Sequence, residues 1–242
     1  MSAIRPIFLS AQWQYLAMVN YAVPAEILQP HLPKGTELDL WQGEAMVSMV
    51  GFLFNHTKVF GIHWPLHTHF EEVNLRLYVR RWDGEKWKRG VAFVSEIVPR
   101  PAIAIIANAL YNEHYRYMPT RHHLQRQADQ ITIDYGWKYK GAWNTLNIEA
   151  TNQLQPIANG SIEHFILEHY WGYNQLNQHT TIEYGVEHEP WQVYPVTSVA
   201  FTCNVSGIYG PQWVPYLQAQ PHSVMLAHGS DVIVRKPQHL PV

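Results

Sequence analysis

From Glu72 onward the chain alternates strictly between two kinds of residue. Val73, Leu75, Leu77 and Val79 fall on one side, and Glu72, Asn74, Arg76, Tyr78 and Arg80 on the other. A period of two over this length predicts a β-strand with one face buried. The polar face carries a carboxylate, an amide, a guanidinium and a phenol, each able to hold a partner in fixed geometry. Two readings are open for that face: a solvated outer surface, or the wall of a polar-lined pocket.

The same reading along the chain predicts a strand over 13–21, a short helix opening at Pro24, and a hairpin of 38–41 with 45–54 turning at Gln42-Gly43. Segment 45–54 is apolar on both faces, as expected of a strand sandwiched inside a fold. Asp83-Gly84 marks a second hairpin, with 87–98 returning as partner strand. Segment 101–110 opens on Pro101 and is apolar almost all round, which predicts a deeply buried helix. Three antiparallel strands follow over 124–127, 131–139 and 143–150. Ser161 then caps a second helix reaching about His169. Segments 171–176, 180–187 and 193–203 are strand-like, 207–217 is broken by Pro and Gly, and 224–234 is a last strand region interrupted near Gly229. No low-complexity linker divides the chain. Many strands with two main helices predict one α+β domain over 1–242, built on a large curved antiparallel sheet.

Composition narrows the classes. With 47% hydrophobic residues the chain can bury a sizeable core, and a formal charge of −2 gives no global attraction to nucleic acid. The single cysteine, Cys203, excludes an internal disulfide. No signal-peptide pattern opens the sequence and no apolar run reaches the roughly 18 residues of a membrane span, so a soluble cytoplasmic protein with no membrane partner is expected.

Four chemistries are worth weighing. His63, His67 and His69, with Gly61 ahead of them, resemble the start of a cupin metal motif, and a metal-dependent cupin-like enzyme is the alternative reading. That motif places a Glu four or five residues after its second His, whereas Glu71 and Glu72 come at two and three. Covalent amine chemistry needs a lysine in an apolar or cationic setting, and all seven lysines lie near turns or in polar alternation. Neither a Gly-x-Ser-x-Gly elbow nor a phosphate-binding glycine loop occurs. Finally, His188 lies between Glu187 and Glu189, two carboxylates expected to raise its pKa and make it a proton donor or ligand anchor.

Taken in order, several segments resemble the YqjF-like family, a domain-of-unknown-function family placed beside acetoacetate decarboxylase. They are the Trp13 strand with Pro24 to Pro33, Leu38-Asp39-Leu40-Trp41-Gln42-Gly43-Glu44-Ala45, Phe70-x-Glu72-x-Asn74-x-Arg76-x-Tyr78-Val79, Gly90-Val91-x-Phe93-x-Ser95, Phe165-x-x-Glu168-x-Tyr170, and His188-Glu189-Pro190-Trp191. The resemblance implies a cone-shaped, partly open antiparallel β-barrel with flanking helices around a small-molecule cavity. Glu72, Asn74, Arg76 and Tyr78 would line or rim that cavity, with Arg121 and His188 as further members. Arg76 suits a carboxylate-bearing ligand. The decarboxylase's reactive lysine follows a Gly-Tyr-Pro turn, whereas Tyr117-Met118-Pro119-Thr120-Arg121 stands here, with Thr120 at the nucleophile's place. The family's late helical Arg is matched by Asn108. The expectation is therefore a barrel that binds an organic acid or another polar small ligand without a cofactor or Schiff-base chemistry; in an enzymatic variant Glu72 or His188 would act as general acid or base. A module that meets another protein through an aromatic surface is the rival from a third class.

Overall fold

A computed structural model describes residues 5–112 and 114–242; the side chains at 106, 107 and 109–111 lie outside that description. The chain opens with a long strand, β1 (Ile7–Val23), a one-turn helix α1 (Ala25–Leu28), and two short strands, β2 (Glu37–Leu38) and β3 (Leu40–Trp41). Strands β4 (Glu44–Val59), β5 (Phe70–Trp82) and β6 (Trp87–Val98) follow, then helix α2 (Pro101–Tyr111) and β7 (Tyr115–Tyr117). Strands β8 (Thr120–Arg126), β9 (Gln130–Tyr139) and β10 (Ala142–Thr151) come next, then helix α3 (Ile162–Leu167). The last third holds β11 (Trp171–Asn177), β12 (Thr180–His188), β13 (Val193–Tyr194), β14 (Val196–Thr202), helices α4 (Val205–Ile208) and α5 (Val214–Leu217), β15 (Ser223–Arg235) and β16 (Gln238–Pro241). The architecture is mostly β with few helices, and none of the described helices is long and apolar enough to cross a membrane.

Two sheets form. The larger runs β13-β15-β1-β4-β5-β6-β11-β12-β16, and β12 also pairs with β15 through Val186↔Val234 and His188↔Val232. The smaller runs β14-β10-β9-β8. Strand β5 sits mid-path, antiparallel to β4 with Ser48↔Arg76 and Phe52↔Glu72 in register. Its pairing with β6 shifts between Leu75↔Ser95 and Arg76↔Phe93, leaving Val94 as an extra residue opposite the polar face. Such a bulge bends a strand locally and re-aims its side chains.

The alternation of β5 separates two cores. Val73, Leu75, Leu77 and Val79 are sealed against Ile131, Ile133, Tyr135 and Trp137 of the smaller sheet. Phe52, Phe54 and Phe70 belong to the second cluster, on the opposite side, with Phe165, Ile166 and Leu167 of α3. Residues 45–54 are all buried, so the strand that is apolar on both faces feeds both cores. Ser161 caps α3, accepting from the His164 N–H at 3.2 Å. The 224–234 region runs unbroken as β15, because Gly229 takes φ of +85° within the strand. Helix α2 departs from the expectation of deep burial. Pro101 and Ala102 are exposed, Ile105 is 68% exposed, and Ala104 is buried. Ile103 is half-buried against the second core cluster, and the apolar side chains at 106, 107 and 109–111 lie outside the described residues. A one-sided helix resting on a sheet needs only a stripe of contact, and an apolar composition does not say which stripe.

Candidate functional site

Between the larger sheet and helices α2 and α3 lies a cavity of about 500 Å³. Strands β1, β4, β5, β6, β11, β12 and β15 all contribute to its wall, which is dominated by aromatic side chains such as Trp13, Phe52, Phe54, Phe70, Phe93 and Trp191. Phe60 and Trp64, in the loop joining β4 to β5, line it too and are about half exposed, which puts that loop at the mouth.

Much of the polar part of the wall comes from the β5 face, and Glu96 of β6, 2% exposed, adds a second buried carboxylate to it. Glu72 and Asn74 are each 2% exposed, and both line the cavity with Arg76. Asn74 Nδ2 donates to Glu72 Oε1 at 2.9 Å, and the Tyr115 hydroxyl donates to Glu72 Oε2 at 2.9 Å. Both oxygens of Glu72 are thus engaged. Arg76 Nε donates to the Tyr78 hydroxyl at 3.3 Å, and one terminal nitrogen lies 3.9 Å from Met18 Sδ. Among the described residues Arg76 has no carboxylate partner, whereas Arg80, Arg81, Arg89 and Arg235 each have one. Tyr78 is 1% exposed and lies behind this wall rather than in it. Its hydroxyl meets Ser48 Oγ at 2.5 Å, and Ser48 donates to Asn20 Oδ1 at 2.5 Å. Since the single Ser48 proton serves Asn20, Tyr78 donates to Ser48, and the chain runs Arg76 to Tyr78 to Ser48 to Asn20.

His188 reaches the cavity from the end of β12. Its ring stacks on Trp191 at 4.0 Å and 17°, and Nδ1 lies 2.9 Å from the Glu189 carbonyl. Its pKa is lowered, contrary to the expectation from its flanking carboxylates. Burial is the largest cause; the upward pulls of the Glu189 carbonyl and of Glu168 and Glu189 do not overcome it, and Arg76 adds to the lowering. Glu187 is occupied by Arg235 at 2.8 Å.

Arg121 is not in the wall. It lies exposed on β8 of the smaller sheet, with its guanidinium 4.2 Å from the centre of the Trp143 ring. Thr120, next to it, donates to Glu71 Oε2 at 2.5 Å, and His122 Nδ1 contacts Glu71 Oε1 at 2.5 Å. These contacts turn the Thr120 segment toward the odd-numbered neighbour of Glu72, on the other face of β5. His63, His67 and His69 do not converge: they contact the Thr57 carbonyl, the Pro65 carbonyl and Asn55 Oδ1 respectively. No group of three metal-ligating side chains gathers among the described residues, and the cupin-like alternative is not favoured.

Several polar wall residues escaped the sequence reading, among them Glu96, Tyr115 and His169. His169 lines the cavity just past α3, its side chain 1% exposed. Its Nε2 lies 3.2 Å from Asp39 Oδ2, which also accepts from Arg89 Nε at 2.6 Å. Burial is the largest influence on the ring and lowers its pKa to about 4, although Asp39 pulls upward. The pKa of Asp39 is lowered: burial acts upward, but hydrogen bonds from His169 and Arg89 outweigh it.

A mostly β fold is thus wrapped around an aromatic cavity that holds one arginine without a carboxylate partner among the described residues, and comparison with known proteins agrees on the fold. Residues 10–231 match the DUF2071 model, described as an uncharacterized conserved protein, and the chain belongs to that family. It is 25% identical over 215 residues to the uncharacterized protein YqjF of Bacillus subtilis strain 168, covering 85% of this chain and 84% of that one. Its fold is similar to that of an acetoacetate decarboxylase from Legionella pneumophila (TM-score 0.64, 14% identity, 99% of this chain and 92% of the other). It is also similar to the enduracididine biosynthesis enzyme MppR in its complex with pyruvate (TM-score 0.63, 11% identity, 99% and 91% covered). At these identities the likeness is one of fold.

Proposed function

We propose that this protein binds a small organic acid inside a partly open, cone-shaped barrel, with the ligand carboxylate on Arg76 and its apolar body against the aromatic wall. The observation that carries this reading is the unpaired Arg76 in a largely apolar cavity. A buried or half-buried cation without a counter-ion is costly, and a carboxylate matches its planar fork. The return of the strand path from β12 to β15, and the contribution of all seven strands of that circuit to the cavity wall, support the barrel reading. The pyruvate complex of MppR lends support from a protein of similar fold.

Glu72, Asn74 and His188 act in this proposal as further wall contacts, and Tyr78 as the residue that positions Arg76. Schiff-base chemistry plays no part in it. None of the seven lysines is among the described lining residues, and Thr120 is engaged by Glu71. Native mass spectrometry of the purified protein tests the reading. A co-purifying organic acid present in the wild type and lost in Arg76→Ala is the expected result; an acid retained in Arg76→Ala removes Arg76 from the site.

A further inference from the structure

The size and lining of the cavity narrow the ligand class, on the premise that an organic acid binds at Arg76. The volume is about 500 Å³. One water takes roughly 30 Å³ in the liquid, and a methylene group has much the same bulk, so there is room for about 16 units of that size. Pyruvate, with three carbons and three oxygens, would leave more than half of this space unfilled. Apolar wall that a ligand does not reach makes no dispersion contact with it and stays unburied.

Polarity in the wall is one-sided. Glu72, Asn74 and Arg76 come from β5 and Glu96 from β6, whereas β1, β4 and β15 contribute chiefly apolar side chains such as Leu9, Trp13, Phe52 and Val234. Among the described lining residues Arg76 is the only arginine or lysine. A ligand with one anionic head and a long apolar remainder matches that distribution.

The direction of the remainder follows from β5. The alternate positions Phe70, Glu72, Asn74 and Arg76 all line the cavity, so it extends along the strand from Arg76 toward the loop that joins β4 to β5. At that end the lip is apolar. Phe60 and Trp64 line it, and Ile62 and Leu66 of the same loop are exposed. A cluster of exposed apolar side chains at a cavity mouth suits an apolar chain end and not a polar one.

We propose that the ligand is an unbranched fatty acid of medium chain length, close to dodecanoate. Its carboxylate pairs with Arg76, and its alkyl tail runs along β5 to the lip formed by Phe60 and Trp64.

The test is calorimetric titration of the full chain with butanoate, hexanoate, octanoate, decanoate and dodecanoate below their micellar concentrations, and with pyruvate. Each added methylene is expected to tighten binding by up to about fourfold, the worth of burying one such group. Dodecanoate should bind at least about a hundredfold tighter than butanoate, and pyruvate no tighter than butanoate. In Trp64→Ser, a change at a half-exposed loop position, dodecanoate should lose on the order of tenfold and hexanoate about twofold or less. Circular dichroism checks that the variant is folded, and the wild-type series stands without it. Affinity that stops rising at hexanoate, or pyruvate binding tighter than octanoate, overturns the chain-length assignment and leaves the organic-acid reading in place. Equal losses for both acids in Trp64→Ser overturn the placement of the tail. An identical series in Arg76→Ala, as adsorption of tails to the outer surface would give, overturns both readings, and so does binding of none of the acids.

Discussion

Arg76 Nε donates to the Tyr78 hydroxyl at 3.3 Å, joining two residues of the same strand face that have opposite settings, one in the cavity wall and one sealed behind it. The hydroxyl passes the bond on to Ser48 and Ser48 to Asn20, so the cavity's cation is held by a directed chain of donors. Tyr78→Phe removes the middle of that chain. It leaves Ser48 without its donor and Arg76 without a fixed orientation. A loss of about 1–3 kcal/mol in stability is expected, read as a lower denaturant midpoint, together with weaker acid binding.

Substituting Thr120 by Lys should not install amine chemistry. The side chain at 120 is directed to Glu71 and is absent from the cavity wall, so Thr120→Lys would place its amine beside a carboxylate, which favours the charged and unreactive form. Borohydride reduction in the presence of pyruvate is expected to leave the mass of the variant unchanged. A stable adduct at residue 120 would contradict the placement.

Gly229 is required by the backbone. Its φ is +85°, and a Cβ there would lie 1.9 Å from the Trp13 carbonyl oxygen. Neither the strain nor the clash can be relieved by a side-chain rotation, because the obstacle is main chain. Gly229→Ala should cost about 3 kcal/mol, measured by chemical denaturation.

The buried His169 makes stability pH-dependent in a definite window. Its pKa falls from the ordinary 6.5 in the unfolded chain to about 4 when folded, mainly through burial. Between these values the unfolded state binds the extra proton, so stability rises with pH from about 4 to 6.5 and this contribution is complete above that. Acidifying from pH 6.5 should lower the unfolding free energy with a slope approaching about 1.4 kcal/mol per pH unit from this group. In His169→Gln that part of the slope should vanish. An unchanged slope would show that other groups set it.

Much of this was legible before the structure. The alternation in β5 put Glu72, Asn74, Arg76 and Tyr78 on one face, and all four did come to one side of the sheet. Pattern could not tell wall from backing, because a strand period fixes direction and not depth; Tyr78 is displaced from the wall by its own bond to Ser48. His169 was not legible, since it follows a six-residue helix without periodic neighbours and its partner Asp39 is 130 residues away. Asp39 lies in Leu38-Asp39-Leu40-Trp41, where a carboxylate flanked by apolar residues was the available signal. The exposed Ile105 was misread for the opposite reason: an all-apolar helix gives no stripe to orient it. His188 was misread because sequence shows neighbouring charges and not the burial that outweighs them.

Replacing Arg76 by Lys keeps the charge and removes the fork. Phenylacetate binding should weaken by about tenfold or more in Arg76→Lys and further in Arg76→Ala, as read by titration calorimetry.

The most direct measurement is a crystal structure of the protein with phenylacetate. The expected result is a carboxylate within about 3 Å of the Arg76 guanidinium, with the phenyl ring between Phe52, Phe70 and Trp191 of the cavity wall. A ligand seated outside the cavity, or inside it with the carboxylate turned away from Arg76, would contradict the assignment.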